Sequence, residues 1–209
     1  MKISDALDYA ILDPLATREE IKDGCVFATK HKLKSVCVSS GNVKLASVWH
    51  DNVCSVISFP HGNMSPESKL FEAGEAVLDG AKELDIVINY GRLLDGDLRI
   101  IEEDFKSICS LSRGNIVIKA ILESCYLNIK QLEEACKRCA DIGIDFVKTS
   151  TGYGFEGATA EDVKIMIDAV KGTDTQVKAS GGISSYYEAM LFLNLGCTRL
   201  GSSKYLELL

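Results

Sequence analysis

Short apolar runs alternate with helix-spaced stretches eight times along this chain, and that repetition limits its fold more than any other feature. The strand candidates are residues 8–12, 35–38, 53–59, 84–89, 115–122, 145–150, 175–180 and 198–201. Helical spacing fills 17–31, 42–50, 66–81, 98–112, 129–142, 160–170 and 185–195, with a short stretch at 204–209. Strict alternation implies parallel neighbours, because a parallel strand is reached only by a crossover, and eight units are the number that closes a (β/α)8 TIM barrel. An open doubly wound α/β sheet is the alternative. With no linker or composition break, the expectation is a single closed parallel barrel over residues 1–209. Thr17, Ser65 and Thr159 stand as N-caps, and Gly143 and Gly196 stand where helix ends take a left-handed residue.

Strands covered by helices on both sides should read as nearly continuous apolar runs, and several here do not. Lys119 lies in the middle of 115–122, Lys148 in 145–150 and Lys178 in 175–180, while Asp85 opens 84–89. A buried, unpaired ammonium costs several kcal/mol, so a purely structural explanation must supply partners. Asp85 answers one lysine, and Glu123 offsets only part of the rest, which leaves an excess of positive charge better read as function. A nucleophilic lysine must be neutral, yet with an ordinary pKa near 10.4 only about one in 10³ is neutral at pH 7; a neighbouring ammonium together with desolvation removes about three units. Period-two alternation puts Lys148 and Ser150 on one strand face, and Lys178 and Ser180 on the matching face of the next strand, so both amines can point at one centre.

Small-residue loops follow these strands: Thr151-Gly-Tyr-Gly-Phe-Glu-Gly-Ala-Thr159 after Lys148, Ser180-Gly-Gly182 after Lys178, and Gly201-Ser-Ser203 after the last strand. Glycine lets backbone N–H groups approach an anion closely. In barrels of this layout the loops after the seventh and eighth strands cradle phosphate, which makes Gly181, Gly182, Gly201, Ser202 and Ser203 candidates for that task.

Composition narrows the partners. A formal charge of −7 and a pI near 5.1 argue against a nucleic-acid or anionic-membrane binder, since no basic face is visible. The first residues form no apolar signal core and nowhere do eighteen apolar residues run together, so a cytoplasmic protein is expected. The eight cysteines read as reduced thiols. Cys136-Lys-Arg-Cys139 has metal-pair spacing but falls inside a helical stretch with no second such pair, and His31, His50 and His61 show no ligand spacing; no metal is expected.

Asp145-Phe-Val-Lys-Thr-Ser-Thr-Gly152, with Gly157-Ala-Thr159, resembles the Schiff-base strand and loop of the deoxyribose-phosphate aldolase family. Val177-Lys-Ala-Ser-Gly-Gly-Ile183 is similar to the strand carrying that family's second lysine, Leu84-Asp-Ile-Val-Ile-Asn89 to its acidic strand, Ile118-Lys-Ala-Ile-Leu-Glu123 to another, and Arg199-Leu-Gly-Ser-Ser203 to its phosphate turn. The likeness runs from about Asp8 to Ser203. It implies that Lys148 forms an imine, that Lys178 depresses the pKa of Lys148, and that Asp85 shuttles protons with an ordered water. It further implies that Lys119, Cys37 and Thr151 belong to the substrate pocket and that Gly152 joins the phosphate loops; Lys204, outside the family pattern, is a further candidate to donate to the phosphate.

The family cleaves 2-deoxy-D-ribose 5-phosphate reversibly to D-glyceraldehyde 3-phosphate and acetaldehyde without metal or organic cofactor, so the implied partner is a small phosphorylated sugar. This chain departs from the pattern at three places: Ala10 in the first strand where the family has threonine, Ser184 where arginine is frequent, and Lys204 after the phosphate turn. A Schiff-base aldolase for another phosphorylated aldehyde or ketone, and a non-catalytic phosphosugar-binding barrel, are the competing readings. Barrels of this kind often pair through helices, which makes Trp49, Phe71, Tyr186 and Tyr187 candidates for a homodimer contact.

Overall fold

Residues 2–112 and 115–205 are described by a computed structural model. Eight parallel strands close in sequence order: β1 (Leu7–Ile11), β2 (Ser35–Ser39), β3 (Val53–Ile57), β4 (Glu83–Val87), β5 (Val117–Ile121), β6 (Phe146–Lys148), β7 (Gln176–Ser180) and β8 (Arg199–Ser202), which pairs back with β1. The helices are α1 (Arg18–Lys30), α2 (Val43–Ala46), α3 (Pro66–Leu78), α4 (Tyr90–Leu94), α5 (Arg99–Ser112), α6 (Ile129–Asp141), α7 (Ala160–Ala169) and α8 (Tyr186–Leu195). The closed barrel expected from the sequence is the fold observed.

The caps explain several boundaries. Thr17 and Glu20 form a reciprocal capping box on α1, Ser65 accepts from the Ser68 amide at the start of α3, and Thr159 accepts from Asp162 at the start of α7. Gly196 ends α8 in the left-handed region at φ 118°. Three details differ from the expected pattern. The helix expected at 42–50 shortens to α2, where the Ser47 hydroxyl bonds back to Lys44 O and across to Asp79 O. The five residues of α4, capped by Asn89, are too short to show periodicity in the sequence. The stretch expected at 204–209 falls almost wholly outside the described residues.

Period-two alternation sorts each strand between two environments. Val36, Val53, Ile57, Leu84, Ile86, Ala120, Val147, Val177, Ala179 and Leu200 join the large apolar cluster with the inward faces of the helices. Cys136 and Cys139 are part of that cluster on α6, and all eight cysteines are free thiols. The barrel interior holds a much smaller apolar cluster, Cys37, Cys54 and Val56, beside buried charged side chains. Between the layers, Lys69 of α3 donates to Asp104 of α5 at 2.6 Å and to Val87 O at the end of β4 at 2.9 Å. That fully buried pair ties two helices to the strand bearing Asp85.

Trp49, Phe71, Tyr186 and Tyr187 are exposed. Among the described residues, no helix is long and apolar enough to cross a membrane.

Candidate active site

Strand register brings the ionisable residues together. Asp85 pairs across with Lys119, Lys148 with Lys178, and Lys178 with Arg199. Their side chains converge inside the barrel on one carboxylate: Asp85 Oδ2 accepts from Lys148 Nζ and from Lys178 Nζ, each at 2.7 Å, and Asp85 Oδ1 accepts from Lys119 Nζ at 2.8 Å. The two amines thought to act together are therefore separated by no more than twice one hydrogen-bond length.

The charge count made from the sequence needs correcting. Asp8 of β1 and Glu83 of β4 also face inward: Lys178 donates to Asp8, Lys119 lies 2.5 Å from Glu83, and Arg199 bridges Asp8 at 2.7 Å and Glu83 at 2.8 Å. Three carboxylates thus meet four cations, and the large positive excess inferred from three lysines and one aspartate does not exist. Both aspartates and Arg199 are essentially dry, so pairing is what permits their charge.

Electrostatics follow from this belt. Burial works to raise the pKa of Asp85, but Lys119, Lys148 and Lys178 outweigh it and hold the carboxyl well below the usual range. Burial likewise opposes ionisation of Asp8, and Lys178, Lys119 and Arg199 overcome it. For Lys178, burial disfavours the ammonium, yet Asp8 and Asp85 prevail and keep its pKa above the ordinary lysine value. Lys178 and Lys148 share a carboxylate where the sequence suggested a bare pair of amines.

Above the belt, at the carboxyl ends of the strands, opens a cavity of about 970 Å³. Lys148, Lys178, Cys37, Thr151, Gly152, Gly181, Gly182, Gly201, Ser202, Ser203 and Lys204 all line it. Asp85 and Lys119 do not. Lys119 is wholly buried beneath the cavity, locked to Glu83 and Asp85, so its expected place on the pocket wall is not observed. Lys148 retains 4% of its surface against 0% for Lys119 and 1% for Lys178, and is the most open of the three strand lysines.

The loops that carry the glycines are fastened to one another. β6 ends at Lys148 rather than at residue 150, because Thr149 then exchanges side-chain bonds with β7: its Oγ1 donates to Ser180 O and accepts from Ser180 N, both at 3.0 Å. Ala158 N donates to Ser180 O and Gly181 O at 3.1 Å. Gly157 lies so close to Gly181 that a Cβ on it would stand 2.2 Å from Gly181 O. Gly181 and Gly182 take φ of 83° and 76°, a turn that glycine adopts without strain. The Ser202 hydroxyl donates to Ile183 O and accepts from Lys204 N, so this serine offers an anion its backbone rather than its side chain.

Cys37, Cys54 and Asp85 have donor atoms within 4.8 Å of one another. Cys54 Sγ lies 3.1 Å from Asp85 Oδ1, but three ammonium groups surround the same carboxylate and would repel a metal cation. The group is a hydrogen-bonded extension of the lysine belt.

The chain and its (β/α)8 barrel have known counterparts. Residues 5–195 match the family described as DeoC/LacD family aldolase. The chain belongs to the DeoC/LacD aldolase family. Over 208 residues it is 40% identical to the deoxyribose-phosphate aldolase of Treponema denticola, covering 97% of this chain and 96% of that one. Over 209 residues it is 43% identical to the enzyme of the same name from Carboxydothermus hydrogenoformans, with coverage of 97% and 91%. Among solved structures, the aldolase QR15 superposes with a TM-score of 0.89 at 34% identity, covering 99% of this chain and 94% of that chain. The tetrameric deoxyribose phosphate aldolase of Aeropyrum pernix does so with a TM-score of 0.88 at 29% identity, covering 99% and 88%. This DeoC/LacD aldolase therefore keeps the family fold over almost its whole length.

Proposed function

We propose that this aldolase reversibly cleaves 2-deoxy-D-ribose 5-phosphate to D-glyceraldehyde 3-phosphate and acetaldehyde through an imine on Lys148. The observation that carries the reading is the placement of Lys148: it is the buried lysine most open to the cavity, and it shares one carboxylate with a second lysine held as an ammonium.

In the cleavage direction, neutral Lys148 Nζ attacks the substrate aldehyde carbon, and loss of water gives a protonated imine. The proton on the C3 hydroxyl leaves, the C2–C3 bond breaks, and its electron pair enters the imine as an enamine. C3 becomes the aldehyde carbon of glyceraldehyde 3-phosphate. Protonation of the enamine carbon and hydrolysis of the imine release acetaldehyde and return the amine. Lys178 places a second amine beside Lys148, and Asp85 anchors both. The three lysines hold the Asp85 carboxyl well below the usual range, which suits it to anchoring charge rather than to carrying a proton.

Gly152, Gly181, Gly182, Gly201, Ser202 and Ser203 present the cavity wall to the phosphate, with the Lys204 side chain beside them. The fit of the two loops is tight, so Gly157→Ala is expected to push the β6 loop off the Gly181 turn. Steady-state kinetics should then show KM for the phosphorylated sugar raised on the order of tenfold, as overpacking of this kind costs.

The reading is tested by sodium borohydride reduction in the presence of acetaldehyde, followed by peptide mass mapping. An ethyl adduct on Lys148 is expected; no adduct on any lysine, with phosphate-ester binding intact, would leave a binding barrel instead. Ala10 and Ser184, where the chain departs from the family pattern, both line the cavity. Other phosphorylated aldehydes and ketones therefore belong in the same assay, and faster turnover of one of them would reassign the substrate while keeping the chemistry.

A further inference from the structure

Glu123 is a buried carboxylate outside the lysine belt; burial raises its pKa, while its bonds to Thr151 and the charge of Lys148 oppose that. It follows β5 with φ 53° and ψ 61°, a left-handed conformation that an L-residue with a long side chain adopts at a cost. Its neighbours are pinned to the strand bearing the nucleophile: Leu122 N donates to Lys148 O at 3.0 Å and Ser124 N to Thr149 O at 2.9 Å. The strained backbone aims the carboxylate over the end of β6. There it accepts from Thr151 N at 3.1 and 3.3 Å and from the Thr151 hydroxyl.

The chain of bonds continues across the cavity mouth. The Thr151 oxygen accepts from Tyr153 N at 3.0 Å, the Tyr153 hydroxyl donates to Leu12 O beyond β1 at 3.0 Å, and the Tyr153 ring meets Phe59 edge-on. Gly152, held between Thr151 and Tyr153, faces Gly181 on the neighbouring loop. Glu123 is thus the fixed end from which the β6 loop is suspended.

We propose that Glu123 is a positioning residue for phosphate-ester recognition, setting the β6 loop so that the Gly152 backbone and the Gly181–Gly182 turn act on one anion. This rests on the phosphorylated-sugar reading above. It predicts a separation between the two ends of the substrate: Glu123 governs the phosphate end and leaves the aldehyde end to Lys148.

The test compares Glu123→Ala and Glu123→Gln with the unmodified protein on 2-deoxyribose 5-phosphate and on unphosphorylated 2-deoxyribose, with borohydride trapping of acetaldehyde as a third readout. For Glu123→Ala, KM for the phosphorylated sugar should rise about tenfold or more, the scale of a lost hydrogen bond to a charged group, with kcat within about threefold. Turnover of the unphosphorylated sugar and trapping on Lys148 should change much less than KM for the phosphorylated one. Glu123→Gln keeps one acceptor oxygen in nearly the same volume, and should recover part of the loss. It also carries the test if the alanine variant does not fold.

An equal fall in kcat on both sugars, or full retention of the preference for the phosphorylated one in the glutamine and alanine variants, would overturn the proposal. If the unmodified protein shows neither turnover nor adduct, the functional reading fails. If it shows both and only the variants depart from expectation, the inference about Glu123 fails alone.

Discussion

Replacement of Lys148 by alanine is expected to lower kcat/KM by at least about 10⁴-fold, the scale seen when the nucleophile of a covalent mechanism is removed, and to abolish borohydride trapping of acetaldehyde. The geometry makes this a clean experiment. Asp85 loses one of three ammonium partners but keeps Lys119 at 2.8 Å and Lys178 at 2.7 Å, so its charge stays compensated and the barrel should fold. The lost side chain is also the one nearest the cavity, where water can enter the space it leaves. Equal circular dichroism and thermal midpoints for the two proteins would confirm that activity alone has changed. An adduct that persists on Lys178 or Lys119 would mean the nucleophile has been misassigned. Lys178 is a poor candidate for that role, because Asp8 and Asp85 keep it protonated.

The barrel was legible because its signal repeats. Eight alternations define the topology even when single boundaries are off, and each strand needs only its buried face to be recognised. Lys119, Lys148 and Lys178 stood out for the same reason, as charges in the middle of apolar runs. Asp8, Glu83 and Arg199 did not, because they lie at or near strand starts, where a charge looks like the solvated edge of a strand. Applying the period-two rule backwards from Asp85 to Glu83, and from Gly201 to Arg199, would have turned both inward. Their omission produced the error in the charge count, and with it an argument for function from excess charge that the structure does not support. What survives is the argument from position.

Glu123 illustrates a different limit. Its place at the end of a strand was visible, and partial compensation of the lysines seemed its natural task. Lys148 does act on its carboxylate, but what that carboxylate holds is Thr151, which depends on a left-handed backbone that no periodicity foretells. Lys119 is the opposite case: the resemblance implied a pocket residue, and register places it a layer lower, where Glu83 and Asp85 claim its amine. Short-range pattern tells which face a side chain takes, whereas depth along the barrel axis depends on the stagger between strands.

Replacing Asp85 by asparagine should have the largest effect on stability, about 3–5 kcal/mol at neutral pH, because it leaves buried ammonium groups with too little negative charge. The pH dependence separates this cause from simple loss of packing. In the unmodified protein the folded pKa values of Asp8 and Asp85 are depressed, so their contribution is present above the unfolded value near 3.9 and is lost as pH falls through the folded values. Those of Lys119 and Lys178 are raised, so their contribution is present below the unfolded value near 10.4 and is lost as pH rises through the folded values. Between about pH 5 and about pH 9 this belt should therefore add little slope to stability. With asparagine at position 85, burial of the lysines is no longer answered by that carboxylate, and their folded pKa values should fall. The variant should then gain stability as pH rises from about 7 to about 9, where the unmodified protein stays level. Urea denaturation midpoints of both proteins across that range provide the measurement. A constant difference between them would show that the belt is held by shape rather than by charge, and would remove Asp85 from its place as the common anchor of Lys148 and Lys178.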